Sequence, residues 1–281
     1  MSRGRVVGAP CATIEIIVQP PIRALAALLL AGAALFAQFQ YDAKQPFDTT
    51  CESIATRTDA DLQGCGFTSP RGGRVNFILV KPRGGKLAKP PFPGVIFQHG
   101  GGQSMTNYLW EALILARAGV ISIISDAPAR SDGKNSELAE IVVTERRALD
   151  LLLQQPGIDP KRIAYVGHSY GAIAGGVLTG VEPRIAAFVL SGAVPSENHP
   201  DRYLPKARAP VLVQCARLDT DDNVRGCPAV HQIAGGPKQL IWYDDDHHFT
   251  SLEALRDRLA WLEKYLTLEA LGPHIAEFLK R

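Results

Sequence analysis

The sequence predicts an α/β protein in which a mostly parallel sheet is covered by helices on both faces. Three observations lead there. Short runs apolar on both faces alternate with helix-length amphipathic stretches from Gly94 to Leu268, the pattern of strands buried between two helical layers. One such run, Arg162-Ile163-Ala164-Tyr165-Val166, leads directly into Gly167-His168-Ser169-Tyr170-Gly171 and then into a small-residue stretch from Ala172 to Leu178. The chain has 281 residues and is 46% hydrophobic, enough for one large domain with a sizeable core, although length alone also permits two.

The elements follow in order. Gln38 to Ser69 reads as a polar lead-in with little periodicity. Arg74 to Val80 is a strand, followed by the turn-rich Pro82-Arg83-Gly84-Gly85 and Pro90 to Pro93. Gly94 to Gln98 is of strand length, and Tyr108 to Ala118 carries Leu109, Ala112, Leu113 and Ala116 at helical spacing. Val120 to Ile124 is a strand and Glu140 to Gln154 a helix. After the glycine-serine turn come strands at Ile185 to Leu190 and Val211 to Cys215, and a helix from Val224 to Ile233 with Asp222 as its cap. Gln239 to Tyr243 is the last strand and Thr250 to Leu268 a final long helix. About twenty residues separate Leu190 from Val211, too few for an elaborate helical lid. There is no internal repeat and no low-complexity tract after the leader.

The N-terminus differs from the rest. Arg3, Arg5 and Arg23 precede an uncharged Ala/Leu-rich stretch from Ala24 to Ala37. That is short for a membrane span and suits the apolar region of a secretory signal. The expected organisation is therefore a signal peptide over 1–37 and one domain over 38–281, with a secreted or periplasmic destination and no stable membrane association after cleavage. Ala33 stands where a lipoprotein would need cysteine. Setting Cys11 aside, Cys51, Cys65, Cys215 and Cys227 remain, an even number that suggests disulfides in an exported chain. The local pairs Cys51–Cys65 and Cys215–Cys227 are the simplest of three pairings, each worth roughly 2–4 kcal/mol by loop closure. The formal net charge is +2, with both signs interspersed. Such a balance gives no electrostatic footprint for nucleic acid and no polybasic membrane patch. It implies no particular oligomeric state.

Chemistry should gather beyond the carboxyl ends of the strands. A serine between glycines at a strand-to-helix turn is the layout of a nucleophile elbow: the turn lifts Oγ above the sheet. A serine hydroxyl needs a base, a group to orient that base, and donors for the developing oxyanion. Asp219 is the first carboxylate after the Val211 strand and is favoured as the orienting acid, with Asp221 in reserve. For the base, Tyr243 leads into Asp244-Asp245-Asp246-His247-His248-Phe249. His248 is favoured over His247 because it lies five residues beyond the strand's last aromatic and directly before an apolar residue. A metal site in this acidic, histidine-bearing stretch is the competing reading, disfavoured because consecutive residues rarely all turn towards one ion. His99-Gly100-Gly101-Gly102 follows the strand ending at Gln98 and suits an oxyanion loop, with Gly101 preferred to Gly102 and the Tyr170 N–H as second donor. The Lys-Ser/Thr ending of a phosphate-binding loop is absent. His99 and His168 read as structural.

These residues resemble those of the α/β-hydrolases, and within them the dienelactone hydrolase-like and secreted esterase group. The likeness runs from about Arg71 to Leu266. Phe67 to Val75 is similar to the opening strand of that group, Gln98 to Gly102 to its oxyanion loop, and Ser125-Asp126-Ala127-Pro128-Ala129-Arg130 to the loop after the next strand. The resemblance implies an α/β-hydrolase fold with little or no lid, Ser169 as nucleophile, Asp219 as acid, His248 as base, and no metal or other cofactor. Dienelactone hydrolases proper carry cysteine where this chain has Ser169, which points to ester chemistry on a small-molecule ester. Ala216 stands where many relatives have glycine. A serine peptidase of the same fold and an inactive hydrolase fold used for binding are the alternatives.

Overall fold

The computed structural model describes residues 37–84, 89–127, 137–195 and 202–278. All but the last residue of the expected signal peptide, and Pro128 to Arg130, lie outside the described residues. Nine strands form one sheet: β1 Thr50–Thr56, β2 Ala60–Thr68, β3 Arg74–Pro82, β4 Phe92–Gln98, β5 Ile121–Ser125, β6 Ile158–His168, β7 Ala187–Ser191, β8 Val211–Ala216 and β9 Lys238–Tyr243. Their order is β1-β2-β3-β5-β4-β6-β7-β8-β9. From β5 to β9 every neighbouring pair is parallel, while β1, β2 and β3 form an antiparallel meander that joins the rest through β5. The parallel strands β5, β7 and β8 are buried along their whole length, as their content rich in Val, Ile, Leu and Phe favours. The expected mostly parallel, helix-covered sheet is what forms.

Helices α1 Leu109–Arg117, α2 Leu138–Leu153, α3 Tyr170–Val181, α4 Asp221–Ile233, α5 Leu252–Leu266 and α6 Gly272–Phe278 cover it. A 3₁₀ turn at Met105–Tyr108 leads into α1. α1 packs on β3 and β5, α5 on β6 to β8, α2 on β4 to β6, α3 on β6 and β7, and α4 on β8 and β9. Arg258 of α5 is locked to Glu111 of α1, Nη2 to Oε1 at 2.6 Å and Nε to the same carboxylate at 3.1 Å, and its Nη1 donates to Gln214 Oε1 at 3.2 Å. Both charges are buried. With each guanidinium nitrogen facing an acceptor, the pair joins two helices without leaving an uncompensated charge.

Three details depart from the sequence reading. The polar lead-in contains β1 and β2. β1 lies at the sheet edge and is exposed along nearly its whole length, so no buried face marks it. Its register is set by β2 and by a disulfide between the directly opposed Cys51 and Cys65. α4 starts at Asp221 rather than Val224, and its cap is Thr220, whose hydroxyl accepts the Asn223 N–H. Asp222 instead pairs with Arg225 in solvent. Finally, α6 adds a short helix that places Ile275 in the core. The second local disulfide, Cys215–Cys227, also forms and ties α4 to β8.

Candidate active site

The turn from β6 to α3 carries Ser169 with φ +52° and ψ −115°. A non-glycine residue in that region is strained by about 1–3 kcal/mol and persists only where its surroundings fix it. They do. The Ser169 N–H donates to Ser191 O at the end of β7 (2.8 Å), and Ser169 O accepts the Ile173 N–H in the first turn of α3 (3.0 Å). The two flanking glycines are required by contact. A Cβ on Gly167 would lie 2.5 Å from Gly171 O, and one on Gly171 would lie 2.3 Å from Gln98 O. The close approach of α3 to β4 and β6 therefore demands hydrogen at both positions.

The serine hydroxyl points at His247, Oγ lying 2.9 Å from Nε2. On the far side of that ring Nδ1–H donates to Asp219 Oδ2 at 2.7 Å. The other carboxylate oxygen, Oδ1, accepts the Thr220 N–H (2.7 Å) and Asn223 Nδ2 (2.9 Å). Burial raises the Asp219 pKa, but the hydrogen bonds from His247, Asn223 and Thr220 outweigh it and hold the carboxyl below its ordinary range. An ionised, buried acid thus fixes one tautomer of His247 and leaves Nε2 as acceptor for the serine proton. Asp221, the reserve choice, lies in the first turn of α4.

His248, expected as the base, is not the ring that meets Ser169. It is exposed, and its Nδ1 lies 3.2 Å from Gln103 Nε2. The correction has a simple cause. Burial alternates from the last residue of β9 onward: Tyr243, Asp245, His247 and Phe249 are turned inward or half-buried, while Asp244, Asp246, His248 and Thr250 are exposed. Counting five residues from Tyr243 selects the wrong parity. The three aspartates of this stretch each serve a different partner. Asp244 pairs with Arg217, Asp245 accepts the Ser251 N–H, and Asp246 accepts the His248 N–H.

The glycine loop after β4 lies on the elbow. A Cβ on Gly100 would stand 2.8 Å from both Ser169 Cβ and His168 Nδ1. The Gly100 N–H is taken by Gln103 Oε1 at 3.0 Å. Gly101 faces open space, as does Gly102 with φ +72°, and the Tyr170 N–H opens α3 directly after the serine. His99 is buried, its Nδ1 donating to Gly100 O (2.7 Å) and its Nε2 to Asp126 Oδ1 (2.5 Å). Burial lowers its pKa, but those two acceptors prevail and leave it raised. His168 takes the opposite course: burial pushes its pKa down to about 4. The neutral ring donates its single N–H, from Nε2, to the His247 carbonyl at 2.6 Å. Sequence reasoning gave His168 only a packing role; the structure shows it gripping the backbone of His247. Asn223 and Gln103 were not anticipated, because neither type marks a site without its three-dimensional partners.

Solved structures share this arrangement of strands and helices. An acetyl xylan esterase from Paenibacillus sp. R4 superposes with a TM-score of 0.66 over 84% of this chain and 93% of its own, at 15% identity. Acetyl xylan esterase 1 from Thermoanaerobacterium sp. JW/SL YS485 gives 0.66 over 83% and 93%, at 13% identity. A cold-adapted esterase from an Arctic intertidal metagenomic library gives 0.65 over 77% and 99%, at 16% identity. The chain has the α/β-hydrolase fold. No protein-family model and no curated protein matches the sequence. In this α/β-hydrolase fold Ser169, Asp219 and His247 occupy the ends of β6, β8 and β9, on the carboxyl side of the sheet.

Proposed function

We propose that this protein is an exported serine hydrolase that cleaves carboxylic esters of small molecules. The observation that carries the reading is the unbroken line Ser169 Oγ–His247 Nε2, His247 Nδ1–Asp219 Oδ2, at 2.9 and 2.7 Å. His247 takes the serine proton as Oγ attacks the ester carbonyl. The Gly101 and Tyr170 N–H groups receive the developing oxyanion. The protonated imidazole, stabilised by Asp219, then gives its proton to the leaving alcohol oxygen. An acyl-enzyme remains, and a water activated by the same ring releases the acid and restores the serine. Solved structures with this fold that are named esterases support the choice of ester over other acyl substrates.

Export is supported by the basic, apolar leader and by the two disulfides, which persist in oxidising compartments. The organisation proposed is a cleaved leader over 1–37 and a catalytic domain from residue 38 onward. The test is hydrolysis of p-nitrophenyl acetate by Ser169→Ala, with a p-nitroanilide peptide as control. Loss of ester turnover in a folded variant is expected. Normal turnover by the alanine variant, or a clear preference for the peptide amide, refutes the reading.

A further inference from the structure

We infer that the cavity between α1 and α5 receives a neutral aryl or branched-alkyl half of the substrate, so that the favoured esters carry one bulky apolar group. The inference rests on the serine-hydrolase reading above and deepens it. The cavity has a volume of about 730 Å³, within the range of small-molecule sites. It abuts the reaction centre: Gln103, His168 and His248 form one wall. Gln103 and His168 are the groups that hold Gly100 and the His247 backbone.

The rest of the lining is mainly apolar, with Ile114, Phe249, Leu255 and Ile275 inside. Trp110 and Leu252 stand at its edge and are 63% and 45% exposed, two of the few large apolar side chains left in solvent on the described surface. An exposed apolar rim leading to an apolar interior, walled by the Gln103 and His168 that hold Gly100 and the His247 backbone, is costly to maintain unless a ligand covers it. The polar floor refines the choice. Glu111 and Arg258 line the cavity but are consumed by each other and by Gln214. A charged substrate group would enter with no free counter-charge and would lose its hydration. The fitting group is therefore uncharged.

The experiment measures kcat/KM for two ester series. One varies the acyl part (p-nitrophenyl acetate, butyrate, octanoate and benzoate); the other varies the alcohol part (methyl, isobutyl and benzyl acetate). In one series kcat/KM should rise by about three- to fourfold per buried methylene until the cavity is filled. The responding series shows which half of the ester occupies it. In that series Leu255→Asp and, independently, Trp110→Ala should lower the ratio of bulky to small ester by tenfold or more. Trp110 is exposed, so its variant keeps the test valid if a charge at position 255 prevents folding. Two flat or falling series, or ratios unchanged in both folded variants, overturn the inference while leaving Ser169 chemistry intact. Absence of turnover on every ester overturns both.

Discussion

Replacing His247 and His248 separately by alanine tests the site at the point where two neighbouring rings compete. The structure gives them very different tasks. His247 holds the serine hydroxyl at 2.9 Å and an ionised Asp219 at 2.7 Å; without it neither attack nor alcohol departure has a proton acceptor or donor. Removing the base from such a unit lowers kcat by about 10⁴- to 10⁶-fold, or about 5–8 kcal/mol at the transition state. His248 makes one exposed 3.2 Å contact with Gln103. A hydrogen bond of that kind is worth about 1 kcal/mol at most, so His248→Ala should lower kcat/KM by no more than about fivefold. Both are read by initial rates on p-nitrophenyl acetate, with fluorophosphonate labelling of Ser169 as a second readout and thermal unfolding as the folding control. His247→Ala should label at least a thousandfold more slowly, His248→Ala nearly at the parent rate. A folded His247→Ala within tenfold of the parent, or a His248→Ala as inactive as Ser169→Ala, refutes the assignment.

Two further outcomes concern stability. Glu145 is buried under β5, its Oε1 accepting the Ser125 hydroxyl at 2.7 Å and its Oε2 without a partner among the described residues. Burial pushes its pKa up to about 8, against the opposing bond from Ser125. Below the unfolded value of 4.5 both states hold the proton. Above it the unfolded chain ionises first, so stability is lost as pH rises, until the folded carboxyl also ionises near 8. Glu145→Gln should therefore gain about 3 kcal/mol over the parent at pH 7 and nothing at pH 4; parallel stability–pH curves from urea denaturation would rule this out. Cys215 and Cys227, twelve residues apart, should together contribute about 3 kcal/mol. The double serine variant is expected to melt roughly 6–12 °C lower by calorimetry, and an unchanged Tm would remove the disulfide from the stability argument.

The fold was legible because the parallel strands are specified by composition alone: a segment such as Ala187–Ser191 or Val211–Ala216, buried from end to end, has only one kind of place to go. β1 was not legible, since Thr50, Glu52 and Ser53 face solvent and the strand exists through its pairing with β2 and the Cys51–Cys65 link. Ser169 and Asp219 were legible because Ser169 directly follows β6 and Asp219 is the first carboxylate after β8. The cap of α4 was not: Asp222 and Thr220 are both good caps by residue type, and the choice between them is made by the turn that presents Asp219 and Asn223 to His247.

The histidine choice turns on a physical point that a sequence does contain. Past the end of β9 burial alternates through a turn closed by the Phe249 N–H on Asp246 O, with an inward anchor on either side. Here the anchors are Tyr243 and Phe249, six residues apart and both buried, their rings 6.2 Å apart and edge-on. Phe249 also meets the His168 ring edge-on at 6.0 Å. Between these two buried aromatics the odd-numbered side chains are buried or half-buried and the even-numbered ones exposed, and His247 is odd. The αL turn at Phe249, φ +52°, ends the alternation, and Ser251, whose hydroxyl accepts the Ala254 N–H, then starts α5. Proximity to an apolar neighbour selected His248; parity with that same neighbour selects His247. The alternation also explains why His247 is well fixed in a loop: its backbone carbonyl is held by His168, its ring by Asp219, and the chain on either side by buried aromatics. Such fixing on rigid neighbours is what lets a hydroxyl 2.9 Å away meet its proton acceptor without reorganisation.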